Sequence, residues 1–381
     1  MVRHLHESGH EVHVASLVRS EEEEQQIQGV RDYCTEFVYA RVGKMMQALK
    51  MVGCLLTTIP SSMGFFHSAK LKRQVNRLLQ QHKYDLIVVF SSSAAQYVEH
   101  VDDVPKFLDF CDMDSQKWLA YADFKRWPIS MGYWLEGTKL QRAEKQLAKR
   151  FDLCSCATDF EVDTLEQYQT GVKSGFFPNG VDSEFFQPND GSFTKHNISF
   201  VGRMDYYPNE EAVISFAERV FPIIRQKYPD AQFTIIGAEP PVSVRDLAKI
   251  DGVTVTGTVD DIRTYVLDSE VMIASLKIAR GTQNKILEGM AMGVPVISSA
   301  NAARGVDAVT EEHLLAATTD QEYADQVMSI FEDPEKRKRL SLAGRERVTT
   351  HHNWIRAMSL FDQLINQTIE HKQAQDQKEA C

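Results

Sequence analysis

Apolar and polar positions along the chain change period repeatedly. Residues 11–17 (EVHVASL) alternate apolar and polar, the two-residue period of a strand with one buried face. Residues 84–90 (YDLIVVF) form a short apolar run, the pattern of a strand buried on both faces. Runs at 105–110 and 151–157 read the same way, and further strands are expected at 198–201, 232–236, 253–256, 271–274 and 294–297. Between them, 71–82, 135–149, 209–227 and 285–292 carry apolar residues at helical spacing. Alternation of strand and helix predicts parallel sheets with right-handed crossovers. About four or five strands fall before residue 185 and about five or six after 195, more than one open sheet holds comfortably. The expected fold is therefore α/β, with two doubly wound domains.

The turn formers Pro188, Asn189, Asp190, Gly191 and Ser192 interrupt the periodicity, so a boundary is expected within 187–196. The domains are read as 1–187, 188–350, and a C-terminal helical segment 351–381. Helices are expected at 321–331, 335–349 and 354–369, with a frayed polar tail from 371. The start is unusual: residues 2–8 read as the last turns of a helix, Gly9 as its cap, and a strand follows at once. A doubly wound domain ordinarily opens on a strand, so the first strand of the N-terminal domain is expected to be missing.

Composition changes this picture little. With 43% hydrophobic and 25% charged residues among 381, the chain reads as an ordinary globular protein, which excludes disorder and a small disulfide scaffold. A net charge of −11 argues against nucleic acid as the main partner, though not against one local phosphate site. The six cysteines (Cys34, Cys54, Cys111, Cys154, Cys156, Cys381) lack zinc-ligand spacing and are expected to be free thiols in a reducing, cytoplasmic compartment. Residues 1–7 are too polar for a secretory signal, and no apolar run reaches the roughly 18–20 residues of a membrane span. The nearest run, 51–66, contains Pro60 and two serines and reads as a loop with a buried helix end. Because Lys70, Lys72, Arg73 and Arg77 follow, peripheral membrane contact through 51–77, at the inner membrane face, is the alternative.

Several local patterns carry chemistry. His6-Glu7-Ser8-Gly9-His10 matches a metalloprotease helix signature, but Gly9 ends the helix, so the match is read as a turn. Asp112-Met113-Asp114 follows the strand at 105–110, at the end where open α/β sheets bind ligands; a functional role without a metal is expected. Gly202-Arg203 follows the strand at 198–201. The glycine admits close backbone approach, and the arginine can hold a diphosphate. Gly237 repeats the strand-then-glycine pattern. The densest segment is 278–296, where a strand leads through Arg280, Gly281 and Thr282 into a helix carrying Lys285 and Glu288 and ending at Gly293. Free N–H groups at such a helix start make an anion site. Glu288, one turn in, can accept hydrogen bonds from ribose hydroxyls.

Taken together, FPNGVD (177–182), FVGRMDYYPNEEAV (200–213), TIIG (234–237), GTVDDIR (257–263) and ARGTQNKILEGMAMGVPVI (279–297) resemble GT-B glycosyltransferases of family four, the glycosyl transferases group 1. DFCDMDSQKW (109–118) is similar to the subgroup of exosortase/exopolysaccharide-associated sugar transferases. The resemblance implies two Rossmann-like domains facing a cleft, with the acceptor on the N-terminal side and a nucleotide-sugar on the C-terminal side. It implies ribose binding by Glu288, diphosphate contacts from Gly202, Arg203, Gly281 and Thr282, and a base bordered by the Thr258–Val259 backbone. Asp112 corresponds to a residue facing the reacting sugar, where many relatives have histidine. The first glutamate of the family's pair is Arg280 here. The usual lysine after the glycine–arginine pair is replaced by Tyr206-Tyr207-Pro208-Asn209, so Lys285 or Arg280 is expected to supply that charge.

The expected function is transfer of a sugar from a UDP- or GDP-sugar to a hydroxyl of a saccharide or lipid-linked acceptor. The expected transfer is of hexosyltransferase type, retaining and metal-independent, in polysaccharide or glycoconjugate synthesis. Asp112, Arg203 and Lys285 are the expected catalytic residues, with donor binding by Gly202, Arg203, Gly237, Thr258, Val259, Arg280, Gly281, Thr282, Lys285 and Glu288, and with no cofactor. The alternative is a catalytically impaired nucleotide-sugar-binding remnant.

Overall fold

A computed structural model describes residues 1–379. The chain forms two compact units, residues 1–177 with 358–381, and 178–357.

In the first unit, β1 (His13–Val18) pairs in parallel with β2 (Glu36–Arg41) as a separate two-stranded sheet. A second, four-stranded parallel sheet has the order β3 (Ile87–Phe90), β4 (Lys106–Asp109), β5 (Leu153–Cys156), β6 (Lys173–Phe176). Every residue of β4 and β5 is buried, as their apolar runs predict. Leu108, Cys154, Leu71, Val75 and Leu147 share one core. Two strands of this unit, and the edge strand at 315–317 of the second, have no counterpart in the sequence reading. β2 carries an apolar run at 37–40 between Glu36 and Arg41, the pattern of a short strand, which the sequence reading did not take up. In β6, KSGF has no apolar pattern and is held by backbone pairing to β5.

The second unit is a six-stranded parallel sheet. Its strands are β7 (Thr194–Val201), β8 (Gln232–Ile236), β9 (Val253–Gly257), β10 (Ser269–Ala274), β11 (Val296–Ser299) and β12 (Leu315–Ala317), in the spatial order β12-β11-β10-β7-β8-β9. Alternate residues of each run feed opposite faces. Val271 and Ile273 pack with Phe200, Phe216, Phe221 and Ile330 on one side. Met272 and Ala274 pack with Ile286, Leu287 and Met290 on the other. The continuous apolar runs thus report a sheet covered on both faces.

Several expectations are corrected. The helix at 209–227 is three consecutive pieces, Tyr207–Ser215, a π-helical turn Phe216–Val220, and Phe221–Lys227. Pro222 has no N–H and crowds the turn before it, and the widened turn accommodates that. The unit boundary falls at 177/178. Residues after it are tied to the second unit: Val181 N–H donates to the His352 carbonyl at 2.7 Å, and Val181 is buried beside Val201 and Leu287.

The final helix, Trp354–Glu379, continues past the expected frayed start at 371. Its glutamines, alanine and lysines are good helix formers, and Lys372 pairs with Asp376 one turn on. Within the first unit its Phe361 packs edge-on against Phe107, ring centroids 5.8 Å apart. Segment 51–66 comprises the end of the helix Lys44–Leu55, a non-helical stretch 56–60 and the short helix Ser61–Phe65, and Val52, Leu55 and Leu56 are exposed, so the expected buried helix end is not found. Cys34, Cys54, Cys111, Cys154 and Cys156 are free thiols, the last two buried, while Cys381 lies outside the described residues.

Candidate functional site

The order of the second sheet sets the site. β7 comes first in sequence yet lies between β10 and β8, so chain progression reverses direction at the β7–β10 boundary. Helices that follow β7 and β10 pack on opposite faces of the sheet, and the carboxyl ends of the strands at such a boundary are where open α/β sheets bind ligands. Gly202-Arg203 leaves β7, and residues 275–283 leave β10 and enter the helix Asn284–Ala291.

The turn after β7 is built by close backbone approach. Gly202 N–H donates to the Ile236 carbonyl at 3.0 Å, and Met204 N–H to the Ala238 carbonyl at 2.9 Å. Gly237 has φ +156°, and a Cβ there would run into the Gly202 carbonyl oxygen. Gly237 is therefore glycine for packing, so that the β8 end can lie against the β7 turn. A Cβ on Gly202 would meet Asn209 Nδ2 at 2.6 Å and Lys285 Nζ at 3.0 Å. The missing side chain leaves the backbone open toward two polar groups.

Those groups form a relay. Lys285 Nζ donates to Asn209 Oδ1 at 2.5 Å, and Asn209 Nδ2 donates to the Arg203 carbonyl at 2.8 Å. The ammonium also lies 4.4 Å from the centroid of the Phe200 ring. Burial pushes Lys285 down to about 7, and Glu288 one turn further along the helix opposes that shift. Burial likewise pushes the Glu288 carboxyl up, with Lys285 opposing. Neither charge is well compensated by protein groups alone.

The helix start is uncapped. Its N-cap residue Gln283 makes no side-chain cap, its first turn holds no acidic residue, and the Gln283 side chain instead donates to the Arg280 carbonyl at 2.8 Å. Just before it, Gly281 has φ +60°, and the Thr282 hydroxyl is buried with no hydrogen-bond partner. A positive helix tip, a buried hydroxyl without partner and an ammonium short of counter-charge make an anion-binding environment.

Arg203 sits apart from the buried ammonium. It is 64% exposed and clamped between Asp205 at 2.9 Å and Glu239 at 2.8 Å, and the hydrogen bond to Asp205 raises its affinity for its proton. Thr258 and Val259 follow β9 at the sheet edge, two strands from β7, and Val259 packs against the core that holds Ile286 and Leu287.

Asp112 belongs to the first unit. Asp109 at the end of β4 is buried, accepts from Cys111 N–H at 3.0 Å and from Ser155 Oγ at 2.9 Å, and Cys111 turns the chain at φ +62°. Asp112 N–H then donates to the Phe110 carbonyl at 2.9 Å. Asp114 lies in the first turn of the helix Asp114–Phe124, so the two acids of the D-x-D pattern occupy different local structures.

Sequence reasoning missed Asn209 as a participant. It had counted only as part of the stretch replacing a lysine, and its sole local signal is a polar residue in the first turn after Pro208. It also missed Glu239, which no pattern links to Arg203.

Residues 195–333 match the family model described as Glycosyl transferases group 1, and the match lies within the second unit. Among solved structures, HepE from Anabaena in complex with UDP and glucose is similar at 14% identity with a TM-score of 0.66, covering 95% of this chain and 92% of that one. Sucrose-phosphate synthase from Thermosynechococcus elongatus is similar at 18% identity with a TM-score of 0.61, covering 78% of this chain and 77% of that one. The fold is GT-B, with two Rossmann-like units.

Proposed function

We propose that this protein is a glycosyltransferase that binds a nucleotide-sugar at the carboxyl ends of β7, β8 and β10 and passes the sugar to an acceptor hydroxyl. The observation that carries the reading is the Lys285–Asn209–Gly202 cluster beside an uncapped helix start at the sheet's switch point. The group 1 match over this unit and the UDP bound to HepE support it.

Breaking the glycosidic bond leaves negative charge on the departing diphosphate. Lys285, the N–H groups at 281–284 and, once released from Asp205 or Glu239, Arg203 stabilise that charge. Gly202 and Gly237 let the backbone approach, Glu288 accepts from ribose hydroxyls, Thr258–Val259 border the base, and Arg280 adds positive charge. Asp112, in the first unit, orients the sugar or acceptor. The chemistry is retaining and needs no Mg²⁺ or Mn²⁺, and the acceptor is a saccharide or lipid-linked hydroxyl of a polysaccharide or glycoconjugate.

Calorimetry with UDP and GDP tests binding, and donor hydrolysis with labelled UDP- and GDP-sugars tests chemistry. Binding of neither nucleotide sinks the reading; binding without any turnover of donor leaves a nucleotide-sugar-binding protein. Dependence of transfer on added Mg²⁺ or Mn²⁺ overturns the metal-free step.

The acceptor is reached at a membrane surface through the first unit. No helix of the described residues is long and apolar enough to cross a membrane. Yet Leu56 is 96% and Trp127 78% exposed, with Leu49, Val52, Ile59 and Trp134 exposed as well. Lys139 Nζ donates to the Cys54 and Leu55 carbonyls, and Ser61 and Ser62 N–H donate to Glu136, so both apolar segments are fastened to the helix Ile129–Ala148. Basic residues Lys70, Lys72 and Arg73 are exposed on the following helix. Co-flotation with anionic vesicles tests it, and absence of the protein from the floated fraction rejects it.

A further inference from the structure

The first unit gathers two imidazoles and a carboxylate that the proposed reaction does not use. His13 opens β1 and Glu36 opens β2, and the parallel register makes them direct partners. Partners on adjacent strands project to one face of the sheet. The helix Ala69–Gln81 packs on both strands, and the residue that ends it, His82, supplies the third group. One ligand atom from each lies within 4.8 Å of the other two, the one such group of three or more among the described residues.

The orientations suit a shared ion. The His13 side chain is only 6% exposed, and its Nδ1 is hydrogen-bonded to the Tyr84 hydroxyl at 2.8 Å. The bond to Tyr84 anchors the ring, and Nε2, now 3.4 Å from Glu11 Oε1, offers its lone pair to an ion in the tautomer that carries its proton on Nδ1. His82 Nε2 lies 3.5 Å from Glu36 Oε2, and the two imidazoles meet edge-on with centroids 4.5 Å apart. Arg77 approaches the other oxygen, Glu36 Oε1, at 3.9 Å, which leaves Oε2 turned to the imidazoles. Glu11 adds a carboxylate oxygen 3.4 Å from His13 Nε2.

We propose that His13, Glu36 and His82 bind a divalent transition metal of the zinc class, with a fourth position open to water beside Glu11. Two imidazoles with one close carboxylate suit Zn²⁺, Co²⁺ or Ni²⁺, and do not suit Mg²⁺ or Ca²⁺, which take mostly oxygen. Glu36 and His82 are half-buried or exposed, so small rotations draw them to the roughly 2 Å bond lengths of such an ion while His13 stays fixed. The metal acts as a clip. Among the described residues β1 and β2 are hydrogen-bonded to no third strand, and a two-stranded sheet is marginal by itself. Ligands from β1, β2 and the end of the helix bind all three into one piece. His6 and His10, which spell a metal motif in sequence, take no part: His6 stacks edge-on against Tyr33, ring centroids 5.9 Å apart.

The test uses the full chain stripped of metal and titrated with Co²⁺ and Zn²⁺. One equivalent of Co²⁺ gives the visible absorption of a four-coordinate N/O site, and Zn²⁺ raises the unfolding temperature where Mg²⁺ does not. His82→Ala and Glu36→Gln each weaken Co²⁺ binding by more than roughly tenfold, and each keeps the unfolding temperature of the metal-free wild type. Absence of a one-to-one site, equal affinity in both variants, or the same stabilisation by Mg²⁺ overturns the proposal. UDP affinity is unaffected in every arm, so this outcome and that of the donor-binding reading are independent.

Discussion

The Lys285 ammonium donates to Asn209 Oδ1 across 2.5 Å, joining the helix after β10 to the helix after β7. The Asn209 amide passes the link on to the Arg203 carbonyl. The bond brings a cation to the β7 turn from 76 residues further along the chain. Replacing Lys285 by Met keeps the stem and removes the charge. A hydrogen bond to a charged group contributes about 1.5–3 kcal/mol, so UDP affinity measured by calorimetry falls about ten- to a hundredfold. Unchanged affinity would remove Lys285 from the diphosphate site.

Burial holds Lys285 at about 7 in the free protein, against an ordinary 10.5. A bound diphosphate favours the charged form, so above pH 7 the complex holds more protons than the free protein. UDP affinity therefore declines as pH rises from about 7, and binding at pH 8 takes up protons. Calorimetry in two buffers of different ionisation enthalpy reads that uptake directly. The stability effect runs the other way. Between about 7 and 10.5 the unfolded chain binds more protons at this group, so its penalty is full below 7 and fades as pH climbs toward 10.5.

Two glycines separate folding from binding. Gly237→Ala forces a methyl group into the Gly202 carbonyl and destabilises the second unit by more than about 2 kcal/mol, visible as a lower unfolding temperature. In Gly202→Ala the added carbon meets the side chains of Asn209 and Lys285 rather than backbone, so it displaces their relay and UDP binding is lost at a smaller stability cost than in Gly237→Ala. Equal stability losses in the two variants would contradict this division.

The buried Thr282 hydroxyl has no partner. Thr282→Val removes an unsatisfied polar group, so the free protein is as stable as the wild type or slightly more so, while UDP affinity falls. A loss of stability without ligand would mean that the hydroxyl is satisfied within the protein.

Arg203 is exposed, and its pairs with Asp205 and Glu239 add little to stability. Arg203→Ala leaves the unfolding temperature within about 2 °C of wild type. If the guanidinium acts on charge that develops during transfer, turnover drops more than donor affinity. Parallel losses would make it a ground-state contact.

Much of this molecule is written in local pattern. The apolar runs at 198–201, 232–236 and 271–274 become β7, β8 and β10 because buried parallel strands need both faces apolar. Gly202, Gly237 and Gly281 fall just beyond strands or before a helix, where close approach or a positive φ demands glycine. Strand β6, by contrast, has no pattern of its own: KSGF is extended because β5 offers it a ladder.

The sequence by itself determined the alternation of strand and helix, the glycine turns and the positive helix start after Arg280, because these follow from periodicity and backbone sterics within a few residues. Only the tertiary structure decided that Lys285 reaches Asn209, that Glu239 holds Arg203, and that His13, Glu36 and His82 converge. Each of those depends on strand order and register, which bring residues dozens of positions apart within hydrogen-bonding or near-contact range, and no local pattern encodes that distance.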